Sequence, residues 1–158
     1  MATSLPETFA WFESQPLKDR ERTRICQCGT EQVIRRSRDR SRMRAVMLSL
    51  VFVDQFVHQH YGSLHPRFRE CYPTPQLADH AFHGHTSPSW LVYSRYEYDP
   101  KPDWSLIAAT LRDCLDDARA WLEAESGEPK PDFWVLVRYE IKREFEWQHL
   151  DDLMAVLP

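Results

Sequence analysis

Between Phe133 and Trp147 the odd-numbered positions, Arg143 apart, carry Phe133, Val135, Val137, Tyr139, Ile141, Phe145 and Trp147, while Arg138, Glu140, Lys142, Glu144 and Glu146 stand at even ones. An apolar residue at every second position is the period of a strand with one face packed and one wet. The pattern predicts a long half-buried strand, followed by a short helix from His149 to Val156. Ser89 to Tyr98 shows the same alternation, with Trp90, Val92, Ser94, Tyr96 and Tyr98 against Leu91, Tyr93, Arg95 and Glu97, and reads as a second strand.

Two stretches carry the other period. From Ser37 or Ser41 to His60, Met43, Val46, Met47, Leu50, Val53, Phe56 and Val57 recur at intervals of three and four, which lines one side of a helix. Leu48, Val51 and Phe52 make it apolar around much of its girth, so it should pack on more than one side. From Trp104 to Ala124, Trp104, Ile107, Ala108, Leu111, Cys114, Leu115, Ala118 and Leu122 share a face. Asp103 is placed to cap that helix, and Ser126-Gly127 to end it. The expected fold class is therefore α+β: a small mixed or antiparallel sheet with one exposed face, packed against a central helix (about 43–60) and a second helix (about 104–124).

The remaining segments are shorter. Ser4-Leu-Pro-Glu7 has the form of a capping box opening a short helix that offers Leu5, Phe9 and Phe12 and ends near Pro16. The runs on either side of Gly29-Thr30 suggest a small hairpin. Gly62 to Pro75 holds three of the eleven prolines and reads as an ordered connection, with a short helix over 75–82 after it.

At 158 residues, 42% of them hydrophobic, the chain fits one domain that buries about two-thirds of its unfolded surface. Residues 1–158 are read as a single domain, with 1–44 a basic N-terminal part and 45–158 an acidic body. The longest apolar run, near Ala45 to Val53, is too short to span a bilayer, which takes about 20 residues, and no membrane partner is expected. The N-terminal residues lack a secretory signal, so the expected compartment is the cytoplasm and the four cysteines are expected as thiols.

Charge is unevenly placed within the net −4. Lys18 to Arg44 has ten basic against four acidic residues, whereas Ala45 to Pro158 has ten against eighteen. Within the basic part, Arg35, Arg36, Arg38, Arg40, Arg42 and Arg44 crowd the start of the central helix, where cations oppose the macrodipole. An anion should offset them. Either nucleic-acid phosphates do so, or carboxylates of the acidic half do, with Glu123, Glu125, Glu128, Glu144 and Glu146 as candidates. The negative net charge favours the second.

Six of the seven histidines lie between His58 and His85. His58, His60, His83 and His85 with Cys26, Cys28 and Cys71 could in principle ligate zinc. The Cys-x-Cys spacing and the lack of a second thiol pair argue against it, so no cofactor is expected. Glu97 and Glu140 could form an acid/base pair, but cross-strand ion pairs with Arg95 and Arg138 are the simpler expectation. No phosphate loop, nucleophile elbow or His-Glu-x-x-His helix occurs, and enzymatic activity has no positive support.

These residues favour a non-catalytic macromolecule-binding protein with a protein partner, in general size and lack of motifs like small inhibitor, immunity or anti-defence proteins. Its expected contacts are the sheet's polar face with Arg95, Glu97, Arg138, Glu140 and Lys142, the arginines Arg35, Arg36, Arg38, Arg40 and Arg42, and Trp134, which with Trp11 and Tyr93 falls on a side its pattern would expose. A nucleic-acid-binding regulator using Arg35 to Arg44 is the alternative, and a metal-dependent hydrolase built on the histidines the third.

Overall fold

The computed structural model describes residues 7–16, 34, 36–62, 103–145 and 147–158. Its elements are α1 (Glu7–Glu13), α2 (Arg40–Tyr61), α3 (Trp104–Ser126), α4 (Phe133–Glu144) and α5 (Trp147–Ala155). No strand occurs among the described residues. The α+β expectation is therefore overturned there in favour of packed helices. The strand expected at Ser89–Tyr98, with Arg95 and Glu97, the Gly29-Thr30 hairpin, and the helix over 75–82 all lie outside the described residues.

The two long helices form where their apolar spacing puts them. At the start of α2 the Asp39 side chain accepts the Arg42 backbone N–H at 3.0 Å, and Asp103 does the same for Leu106 at the start of α3. Each carboxylate satisfies a donor that the first helical turn leaves open. Both helices end on glycine in the left-handed region, Gly62 at φ 80° and Gly127 at φ 69°. Only glycine takes that conformation without strain, which fixes where each helix stops.

Packing of α2 against α3 builds most of the interior. Met43, Val46, Met47, Leu50, Val53 and Val57 of α2 are buried, as are Ile107, Ala108, Leu111, Cys114, Leu115 and Ala118 of α3. Leu48 and Phe52, on other sides of α2, are buried too, because α1 and α4 also rest on this helix. Phe12 of α1 enters the core, and Phe145, just past α4, packs on Phe52 and Trp104 with centroids 5.9 and 6.2 Å apart. Full burial of one such aromatic ring contributes about 2–3 kcal/mol.

Residues 133–144 are a helix, not a strand, and the arithmetic of the two periods explains the correction. Phe133, Val137 and Ile141 are four apart, so they satisfy a period of two and a helical period at once, and all three are completely buried. Val135 and Tyr139, which the strand reading placed on the same buried side, stand on the opposite side of the helix, 66% and 59% exposed. The intervening Leu136, Arg138, Glu140, Lys142, Arg143 and Glu144 are strong helix formers, and the hollow beside α2 rewards a stripe at four-residue spacing. The sheet face meant to present Arg138, Glu140 and Lys142 together does not exist among the described residues. Arg138 is half-buried, Lys142 is exposed, and Glu140 is buried at 3% exposure.

Candidate functional site

With its Phe133, Val137 and Ile141 stripe turned inward, α4 carries chemistry on its other sides. Glu140 faces α2. Its Oε1 lies 2.9 Å from His60 Nε2, and its Oε2 accepts from Arg143 Nε at 3.1 Å. The Arg143 guanidinium also reaches Gln59 Oε1 at 3.3 Å and Glu144 at 3.6 Å. A carboxylate can only accept, so the His60 nitrogen facing it carries the proton. These contacts replace the expected pairing of Glu140 with Arg138, which instead donates to the Pro158 carbonyl oxygen.

An imidazole oriented by a carboxylate is two-thirds of a nucleophile-activating triad. The third part is missing among the described residues: His60 meets the Phe56 ring, centroids 5.0 Å apart, and no described hydroxyl or thiol hydrogen-bonds it. The adjoining recess, lined by Phe52, Gln55, Phe56, Gln59, Glu140 and Glu144, has about 20 Å³. That is room for about one water. The contacts of Glu140 with His60, and of Arg143 with Gln59, clamp the last turn of α2 to α4.

The outward side of α4 is built differently. Val135, Tyr139 and Lys142, at i, i+4 and i+7, form one exposed row. Val135 and Tyr139 are the exposed large hydrophobics among the described residues. Trp134, expected to be exposed, instead packs partly on the core beneath the Arg112 guanidinium, 4.8 Å from its ring centre. The row itself escaped the sequence reading because Val135 and Tyr139 were assigned to a buried strand face and Lys142 to the opposite, polar one. A helical projection of the same residues would have shown them standing apart.

No family model, curated protein or solved structure matches this chain.

The described arginines of the run divide between exposed and packed positions. Arg36, Arg38 and Arg40 are exposed, Arg42 sits 4.5 Å over the Trp11 ring, and Arg44 is buried at 3% exposure. Arg35 lies outside the described residues. Asp39 accepts the Arg42 backbone N–H as the helix cap, and Glu123, one of the carboxylates expected to answer the run, is engaged by Arg119 at 2.7 Å. Arg42 and Arg44 are thus used in packing.

Of the metal candidates, Cys26, Cys28, Cys71, His83 and His85 lie outside the described residues. His58 is exposed and His60 is held by Glu140. Among the described residues no three His, Cys, Asp or Glu side chains are placed to hold an ion. Cys114 is fully buried, and burial, reinforced by the nearby Asp117, pushes its thiol well above the usual range, which suppresses the reactive thiolate. No helix of the described residues is long and apolar enough to cross a membrane.

At the C-terminal ends of α2 and α3, Tyr61, Leu122, Glu125, Ser126 and Lys130 border an open cleft of about 290 Å³. The Lys130 ammonium sits 5.8 Å from the Tyr61 ring centre, and burial and then Asp132 raise the Tyr61 phenol above its ordinary value while Arg119 opposes them. The phenol stays a neutral donor, and its oxygen is enclosed with no hydrogen-bond partner among the described residues.

Proposed function

We propose that this chain is a non-catalytic protein-binding module whose contact surface is the outer face of α4. The observation that carries the reading is the exposed pair Val135 and Tyr139, one turn apart on a helix whose other side is fully packed. Helices of folded domains turn their apolar stripe inward and leave polar residues outside. An aliphatic and an aromatic side chain left outside, with Lys142 continuing the row and Arg138 and Arg143 flanking it, have the makeup of an interface: an apolar centre with a charged rim. Tyrosine is among the residue types whose truncation costs most at interfaces, about 2 kcal/mol or more at a hot spot.

A protein partner fits this face better than nucleic acid does. The chain carries net charge −4, and Arg42 and Arg44 are committed to internal packing. Nucleic-acid binding draws its affinity from cations presented together to phosphates. The dyad of His60 and Glu140 supports the fold of the module rather than a reaction.

The test places a photo-crosslinking phenylalanine analogue at position 139, and in a separate protein at the exposed position 125 on α3, and irradiates each in nuclease-treated lysate of the native host. The reading expects a protein adduct from position 139 that is missing from 125 and is lost when Val135→Glu is added. Equal adduct patterns from the two positions, or adducts indifferent to Val135→Glu, would sink it.

A further inference from the structure

We infer that the outer face of α4 docks onto the outer face of α3 in a second copy of this chain, making a reciprocal homodimer. This rests on the reading of the α4 face as a protein-binding surface and names its partner.

The two faces match residue for residue. On α3, Ala109, Asp113, Asp116 and Ala120 are all exposed and follow one another at steps of four, three and four. On α4, Val135, Tyr139 and Lys142 are exposed at steps of four and three. Steps alternating between three and four set side chains along one line of a helix, the seam by which two helices pack side by side. One seam is small and acidic, whereas the other is bulky and basic.

The α3 seam also reads the same in both directions, since an alanine stands at each end with the two aspartates between. If the helices run parallel, Val135 faces Ala109, Tyr139 faces Asp113 and Lys142 faces Asp116. If they run antiparallel, Val135 faces Ala120, Tyr139 faces Asp116 and Lys142 faces Asp113. In either orientation Val135 meets a methyl group that allows close approach, the Tyr139 hydroxyl can donate to a carboxylate, and Lys142 meets the opposite charge. Asp116 is held at 2.9 Å by Arg112 of its own helix, and Asp113 also has partners within its own chain. Such exposed pairs are individually weak and readily share a carboxylate with a second cation.

Within one molecule the two seams are both exposed, so they do not cover each other. A two-fold axis lets each copy offer α4 to the partner's α3 and receive the same contact in return, as an isologous interface requires. The reciprocal arrangement doubles the buried area that a single helix pair would give, toward the roughly 800 Å² per partner of stable complexes.

Sedimentation velocity of the full chain across a wide concentration range tests this. The expected mass is twice the 18.8 kDa of one chain, and added salt should shift the equilibrium toward monomer. Lys142→Glu makes both seams acidic, and the double variant Asp113→Lys with Asp116→Lys makes both basic. Each should weaken self-association by about tenfold or more. Mixed together, the two variants restore both contacts, so the mixture should dimerise where neither variant does alone. The double variant Ala109→Arg with Ala120→Arg, which blocks the alanine end of the α3 seam in either orientation, is the second probe should the aspartate variant lose its far-ultraviolet helical signal, and it too should give monomer. A parent protein that sediments as one chain at every concentration overturns the dimer, as does a mixture no better associated than its components. If the parent is monomeric but crosslinking from position 139 still captures a distinct protein sensitive to Val135→Glu, the surface reading survives and the second copy as its partner does not.

Discussion

Removing the Glu140 carboxylate should show how much the clamp between α2 and α4 contributes. The carboxylate is almost wholly enclosed, 4% exposed, and accepts from His60 at 2.9 Å and from Arg143 at 3.0–3.1 Å. Hydrogen bonds to charged groups contribute about 1.5–3 kcal/mol each before compensation. Two terms reduce that sum. Arg143 is half exposed and regains water when its partner goes, and Glu140→Ala also relieves the desolvation of the carboxylate itself. The net cost of Glu140→Ala should be about 2 kcal/mol, with His60→Ala close behind because the Phe56 contact is lost as well. Glu140→Gln, which keeps shape and one acceptor, should cost about 1 kcal/mol, and Arg143→Ala about 0.5 kcal/mol. Urea unfolding followed by circular dichroism gives these values. The double variant His60→Ala with Glu140→Ala closes a thermodynamic cycle, for which the coupling should be about 1 kcal/mol. If Glu140→Ala lies within about 0.5 kcal/mol of the parent, as a surface substitution would, or if the coupling vanishes, the clamp is no clamp.

Three further outcomes follow from other parts of the fold. Burial, then Asp113 and Asp116, raise the Asp117 carboxyl to about 6, so between the ordinary carboxylate range and that value the folded chain binds more protons than the unfolded one. Its stability should fall as pH rises through this window, and Asp117→Asn should melt higher than the parent above pH about 6 while the two converge at lower pH. Ser49 is completely buried in α2 with a hydroxyl that has no hydrogen-bond partner among the described residues, so Ser49→Ala should stabilise by about 1 kcal/mol and raise Tm by about 2–4 °C. At Gly127 an added methyl would meet no atom within 4 Å, so the cost of Gly127→Ala is backbone conformation alone, about 1 kcal/mol in urea unfolding.

How far the sequence disclosed this molecule depended on whether one period or two could fit a segment. In α2 and α3 apolar residues recur at mixed steps of three and four, which no strand can satisfy, and the caps Asp103 and Gly127 stood where the ends fell. In α4 the buried apolar residues Phe133, Val137 and Ile141 are spaced by four, twice the strand period and close to one helical turn, and the exposed Val135 and Tyr139 completed a false alternation. What decides between the readings is the partner surface beside α2, which no local pattern contains. The same ambiguity hid the site. Arg138, Glu140 and Lys142 were visible as charged residues near one another, but helical geometry sends Glu140 into the interior, Lys142 outward and Arg138 toward Pro158. That Glu140 would be met by His60, 80 positions away, depends on a tertiary contact.

That double legibility has a consequence for how the chain can fail. The stretch Phe133-Trp-Val-Leu-Val-Arg-Tyr139 has strong strand propensity, no proline and a single charge, the makeup of segments that stack into cross-β fibres once freed. It is kept helical by the hollow against α2 and by the grip of His60 on Glu140. The contact that fastens α4 therefore also keeps a stretch with cross-β character folded away, and loosening it should cost solubility as well as stability.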